Sequence, residues 1–348
     1  MTFRIAINGY GRIGRCFVRA LHESPLREEM QIVAINEPAD LESMAYLTRF
    51  DSTHGRFPGT VELDGDKLRI DGQPIAVSHA RSPGEVDWRG LGLDLLVEAS
   101  GRYPQRAGLE AFIAAGCPRL LLSHPGQTAA DVDRTVVIGV NHGALTGGER
   151  LVSAASCTTN AIVPVLALLD SALGIEQAMA TTLHSVMNDQ PPIDGYHHSD
   201  LRRTRSAMQS MVPVATGLAR GIERLLPGLT GRVTAKSIRV PVTNVSAIDL
   251  VLSLRNATDA ATINAQLQQA ADTAFAGLLA VSAEPHASID FNHSPQSAIV
   301  DAGQTRVAGR MANLLVWFDN EWGYANRMIE LAALWRQRLT AAGAAARG

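Results

Sequence analysis

One run of seven residues, Asn8-Gly9-Tyr10-Gly11-Arg12-Ile13-Gly14, constrains the fold of this chain more than any other. The alternating segment Phe3-Arg4-Ile5-Ala6-Ile7 leads into it as a strand, and Arg15 to Glu23 follows as a helix. G-x-G-x-x-G between a strand and a helix is the fingerprint of a dinucleotide-binding βαβ unit. Gly9 permits the tight turn, Gly11 lets a pyrophosphate approach the backbone, and Gly14 lets the helix pack closely on the strand. The pyrophosphate then rests on the helix N-terminus. Alone, such a fingerprint is weak, because a glycine-rich turn can also bind nothing. Here a second strand, Gln31 to Ile35, ends at Asn36-Glu37, about twenty residues further on. An acid there accepts hydrogen bonds from the adenosine ribose and repels a 2′-phosphate, which favours NAD over NADP.

Asp94 to Glu98, Leu120 to Ser123, Val136 to Val140 and Leu151 to Ala155 read as further strands. Helical or irregular segments separate most of them. This alternation predicts an α/β fold with a doubly wound parallel sheet of Rossmann type. Such sheets bind ligands beyond their C-terminal strand ends. Ser100-Gly101-Arg102 and Ser123-His124-Pro125-Gly126 stand at such ends, as cofactor contacts or as plain turns. Asp51 to Pro83 alternates weakly and contains Asp64-Gly65 and Asp71-Gly72, the pattern of a hairpin insertion.

The run Ser156-Cys157-Thr158-Thr159-Asn160 sets a thiol among hydroxyls where a strand ends and a helix begins. A lone cysteine is more often a buried structural residue, but such a residue is usually walled by apolar side chains. A helix start offers unpaired N–H groups and the positive end of the dipole, and both favour a thiolate. The apolar run Ala161 to Leu169 reads as a buried helix, bent or shortened by Pro164. The other cysteines are Cys16 and Cys117; three in total rules out a complete disulfide framework, and their spacing matches no common metal motif. A reducing, cytoplasmic compartment is the expectation, with no metal. The net charge of −3 gives no sign of a nucleic-acid or membrane surface. No apolar run reaches bilayer length, and the N-terminus has no signal-peptide layout.

In the second half, Ala178 to Leu183 reads as a short strand ending at His184. The polar, proline-containing stretch from Asn188 to His198 reads as a long loop, a kind of segment that is usually functional or disordered. Arg202, Arg203 and Arg205 follow as a solvated basic face or as a phosphate-binding cluster. Arg239 lies inside a strand pattern, where a surface role is harder to assign. Asn244 to Leu254 and Leu314 to Phe318 read as strands of an antiparallel sheet. Asp259 to Ala276 reads as its covering helix, and Asn320 to Tyr324 open a last helix, Ala325 to Leu339. His184 follows Cys157 by 27 positions and is the candidate base for it.

Three of these stretches together resemble the glyceraldehyde-3-phosphate dehydrogenase family. They are Asn8 to Arg15, Ser153 to Asn160, and Trp317-Phe318-Asp319-Asn320-Glu321-Trp322-Gly323-Tyr324. The resemblance covers nearly the whole chain. It implies a dinucleotide domain over 1–155, an α+β catalytic domain with an antiparallel sheet over 156–320, and a C-terminal helix, about 321–340, that packs back on the first domain. It also implies a homotetramer that oxidises a phosphorylated aldehyde with NAD. By resemblance, Cys157 is the nucleophile and His184 its base. Arg12 and Ile13 match pyrophosphate contacts, Glu37 the ribose acid, Asn320 the nicotinamide carboxamide contact, and Arg81 a further cofactor contact. Ser156, Thr158, Thr216 and Gly217 resemble an inner anion site, and Arg203 and Arg239 the arginines that hold phosphate groups.

The departures from the family pattern bear on the substrate. Met187 stands where the glycolytic enzymes carry a phosphate-binding threonine, and a thioether donates no hydrogen bond. Ala161 replaces a second cysteine. Together, His184-Ser185-Val186-Met187, Ser123 to Gly126 and Ile289 to His293 are similar to the erythrose-4-phosphate dehydrogenase branch. That branch makes 4-phosphoerythronate for pyridoxal 5′-phosphate biosynthesis, through a thioester resolved by water. The alternatives are the phosphorylating glycolytic enzyme and a catalytically silent nucleotide sensor. On the catalytic reading, a nearby imidazolium and the helix start hold Cys157 as a thiolate at neutral pH.

Overall fold

A computed structural model describes residues 2–197 and 200–345, so His198 at the end of the expected loop lies outside the described residues. The chain forms two units. The first runs to Ser156 and resumes at Ala325; the second is Cys157–Tyr324.

The first unit begins with β1 (Phe3–Asn8), α1 (Arg12–Glu23), β2 (Met30–Asn36) and α2 (Leu41–Arg49). A small hairpin, β3 (Phe50–Asp51) and β4 (Gly55–Arg56), comes next. Then follow β5 (Val61–Asp64), β6 (Lys67–Ile70), β7 (Gln73–Ser78), β8 (Leu95–Glu98), α3 (Arg106–Ala114), β9 (Leu120–Leu122), β10 (Arg134–Thr135) and β11 (Leu151–Ser153). Nine strands form one sheet in the order β10-β11-β9-β8-β1-β2-β7-β6-β5. From β10 to β7 every pairing is parallel; β5 and β6 add an antiparallel edge. The doubly wound sheet and its hairpin insertion are therefore present. The middles of its central strands (Ile5-Ala6-Ile7, Leu95-Leu96-Val97, Leu120-Leu121-Leu122) are apolar and fully buried. A strand covered on both faces carries no polar alternation.

The expected strand Val136–Val140 is a correction. Only Arg134–Thr135 pairs, and the chain then turns. The Asn141 side chain accepts from Val137 N and donates to Thr135 O, both at 2.8 Å, so a side chain takes the bonds a neighbouring strand would make.

The second unit opens with α4 (Cys157–Leu173) and β12 (Ile175–His184). β13 (Val212–Val214), α5 (Leu218–Leu225), β14 (Val233–Arg239), β15 (Ser246–Leu254) and α6 (Ala260–Asp272) come next. β16 (Leu279–Ser282), β17 (Ala298–Asp301), β18 (Arg306–Ala308) and β19 (Met311–Phe318) complete its sheet, and α7 (Trp322–Ala345) ends the chain. The sheet order is β13-β14-β12-β15-β19-β17-β16, with β18 on β19. Most pairings are antiparallel, and β15 and β19 alternate buried and half-buried residues, as a sheet with one covered face does. Two pairings, β12·β14 and β16·β17, are parallel, which the pattern of alternation could not reveal. Pro164 lies inside one unbroken helix rather than ending a shorter one.

Candidate active site

The chemistry of the second unit gathers at the C-terminal end of β12. Parallel registry sets His184 opposite Arg239 at the ends of β12 and β14. α4 starts at Cys157, and its sulfur lies 3.8 Å from His184 Nε2 and 3.8 Å from Thr158 Oγ1. The turn into α4 holds Ala155 at φ +60°, a left-handed conformation unusual for alanine. A residue held in that region costs about 1–3 kcal/mol, and such strain gathers at functional sites. Thr159, in the first turn of α4, lies against Gly221 of α5, so the starts of the two helices pack together. Thr216 and Gly217 immediately precede α5, and Ser156 and Thr158 flank the cysteine.

His184 Nδ1 lies 2.8 Å from the carbonyl oxygen of Ser185. A carbonyl only accepts, so Nδ1 carries the proton and Nε2 faces the sulfur with its lone pair. The ring is buried and meets Phe318 edge-on at 6.3 Å. Burial lowers its pKa to about 4, against a partial offset from the Ser185 carbonyl. Burial also pushes the Cys157 thiol up, in spite of its bonds at the helix start and the nearby Arg239. Both shifts oppose the expected thiolate–imidazolium pair, because desolvation penalises charge where the helix dipole favours it. The arrangement is a sulfur facing the Nε2 of a base whose other nitrogen is held by a carbonyl.

Asn320 is buried just ahead of α7, and its Oδ1 accepts from Ser185 Oγ at 3.0 Å and Ser246 Oγ at 2.8 Å. Ser246 Oγ in turn accepts from Ser185 N. Val245, just before Ser246, is held at φ +64°, a strained angle for a β-branched residue. Ser185, Ser246 and Asp189, whose carboxylate lies 2.8 Å from Arg203 Nη1, were missed as site residues. The first two look like ordinary strand-end serines, and only the sheet registry brings them together.

In the first unit, a cleft of about 300 Å³ lies beyond the ends of β1, β2 and β8. Gly9, Gly11, Glu37 and Arg81 line it, as does Arg102. Gly9 has φ +91° and lies against the backbone of Ser100. At Gly14 an added Cβ would sit 2.2 Å from Gly9 O, whereas at Gly11 it would meet open space. The start of α1 has no side-chain cap. Glu37 accepts from Tyr10 N at 2.7 Å, which sets its carboxylate beside the glycine loop. A dinucleotide fits these features: an open backbone for its pyrophosphate, an uncapped helix start and an acid for its ribose.

Arg12 turns its guanidinium to Asp51, with Nη2 3.1 Å from Oδ1, so its main chain is what remains for a pyrophosphate. Burial raises the Asp51 carboxyl, but Arg12 and the N–H groups of His54 and Thr53 prevail and hold it well below the usual carboxylate range. Ile13 stands in the first turn of α1. Ser123 lies at the end of β9 with its N–H on Glu98 O, outside the cleft lining. Asn8, Asn36 and Glu98 were missed. Glu98 is fully buried and accepts from Asn8 Nδ2 at 2.5 Å and Ser100 N at 2.8 Å; Asn36 donates to Asn8 Oδ1 at 2.8 Å. Polar residues closing three apolar strands were the available signal.

Residues 3–106 match the NAD-binding domain of glyceraldehyde 3-phosphate dehydrogenase, and residues 156–320 match its C-terminal domain. The chain belongs to the glyceraldehyde 3-phosphate dehydrogenase family. This dehydrogenase is thus an NAD-dependent oxidoreductase, and NAD is the dinucleotide its first unit binds. No helix among the described residues is long and apolar enough to cross a membrane. Gly14→Ala in this dehydrogenase is expected to weaken NAD binding at least about tenfold and to cost about 1–3 kcal/mol of stability, because a backbone oxygen must move. Fluorescence titration with NAD and thermal unfolding check this; wild-type values in both would show that the close approach has no such role.

Proposed function

We propose that the protein oxidises D-erythrose 4-phosphate to 4-phospho-D-erythronate with NAD, through a thioester on Cys157 that water resolves. Pyridoxal 5′-phosphate biosynthesis is the setting proposed for it. Met187, in place of a hydroxyl three residues after His184, carries this choice of substrate and of water. The thioether removes one donor that would hold inorganic phosphate or a short substrate.

His184 Nε2 takes the thiol proton as Cys157 Sγ attacks the aldehyde carbon. The Cys157 N–H, at the helix start, is a donor for the oxyanion. The imidazolium returns its proton to that oxyanion and gives a neutral hemithioacetal. Bound NAD supplies the acceptor for the hydride that leaves this carbon. His184 takes the hydroxyl proton as the thioester forms, then releases it to solvent. The neutral ring next deprotonates a water that attacks the thioester, and the proton passes to the departing sulfur. Arg203 and Arg239 hold the phosphate of the substrate by their guanidinium forks, Ser156, Thr158, Thr216 and Gly217 serve the inner anion site, and Asn320 orients the nicotinamide carboxamide.

The phosphorylating alternative draws support from the two arginines, which suit inorganic phosphate equally well. Steady-state kinetics with erythrose 4-phosphate and glyceraldehyde 3-phosphate, each with and without inorganic phosphate, separates the two. The expected result is a higher kcat/KM for the four-carbon aldehyde and no need for phosphate. A strict phosphate requirement would favour the glycolytic reaction.

A homotetramer is proposed as the working form. Ile193, Tyr196, Leu201 and Met211, in the segment between β12 and β13, are exposed apolar residues of the kind that mark an interface. Cys16, Cys117 and Cys157 form no disulfide with one another, which supports a cytoplasmic location.

A further inference from the structure

We propose that Asp189 is a built-in competitor for the phosphate of the substrate, occupying Arg203 and Arg239 until a phosphate displaces it. Its Oδ2 lies 2.8 Å from Arg203 Nη1, and its Oδ1 lies 3.8 Å from Arg239 Nη2. One carboxylate thus bridges the two guanidinium groups that the family resemblance assigns to phosphate. Arg239 is buried, and its Nη1 donates to Ser185 O at 3.3 Å, the same carbonyl that fixes His184. A buried cation needs a counter-charge. Burial lowers the Arg239 pKa, and Asp189 acts in the opposite sense.

Two guanidinium groups carry two positive charges. A phosphate dianion matches them alone, and adding Asp189 leaves an excess negative charge. Asp200 adds more, since its Oδ2 is 3.8 Å from Arg203 Nε. The two anions therefore exchange. Asp189 is suited to leave, because its side chain is 39% exposed and residues 185–197 around it form no helix or strand. The arginines are never left without a partner, and the anion site releases a phosphorylated product more readily than an uncontested pair would. The inference rests on the proposed function only in assigning Arg203 and Arg239 to phosphate.

Calorimetric titration of the full-length protein with inorganic phosphate, without aldehyde, tests it. Asp189→Asn is expected to tighten phosphate binding about five- to tenfold, the effect of one partly screened charge. Asp189→Ser should do the same, which guards against an effect of the amide. Asp194→Asn makes an equal charge change on the same segment, where Asp194 pairs with Arg205, and should leave the affinity unchanged. Unchanged or weaker binding in both Asp189 variants, or equal tightening in Asp194→Asn, would overturn the proposal. Because no aldehyde is present, a failed assay with erythrose 4-phosphate would reject that substrate without touching this result.

Discussion

Cys157→Ser is expected to lower turnover by about 10⁴-fold or more, the scale seen when an enzyme loses its nucleophile. A serine hydroxyl in the same place is not ionised by a neutral imidazole nearly as readily as a thiol, and it forms no thioester. NAD binding should survive, because the residues lining the cofactor cleft all lie between Asn8 and Tyr103. Turnover with a saturating aldehyde phosphate and an NAD titration of the same preparation make the comparison. Substantial activity in the serine variant would reject the nucleophile; lost NAD binding would mean that the substitution had disturbed more than the thiol.

His184→Ala is expected to reduce kcat/KM at neutral pH by about 10²- to 10⁴-fold, the range for a lost general base. The deficit should shrink as the pH rises. Burial sets the Cys157 pKa above its ordinary value, so without a base the reactive thiolate fraction is small at pH 7. That fraction grows about tenfold per pH unit until the folded pKa is reached. In the intact protein the ring is already neutral above about pH 4, and its rate needs no such rise. The two pH–rate profiles should therefore converge toward alkaline pH. Profiles that stay parallel from pH 6 to pH 10 would remove His184 from the role of base.

The two stretches that carry chemistry were legible because their constraints are local. Gly9 and Gly14 are dictated by one turn, and Cys157 by the residues on either side of it. The meeting of His184 with Arg239 was not, since it depends on β12 and β14 running parallel within a mostly antiparallel sheet. Asp189 was hidden for a related reason: in sequence it is one acid in a polar loop, and in space it bridges two arginines. The upward push of burial on the thiol was not legible, because a helix start is visible in sequence and desolvation is not. Val136–Val140 looked like a strand by composition, yet the single side chain of Asn141 diverts it into a turn.

The first unit is assembled from both ends of the chain, and the stretch of α7 beyond Ala325 buries Met328, Leu331 and Trp335. During synthesis, then, the nucleotide-binding half stays unfinished until residues 325–335 have been made, while Cys157–Tyr324 can emerge whole beforehand. A message cut short near codon 324 would yield a protein with its sulfur chemistry encoded in full and its coenzyme half left open, a natural client for chaperones and proteases.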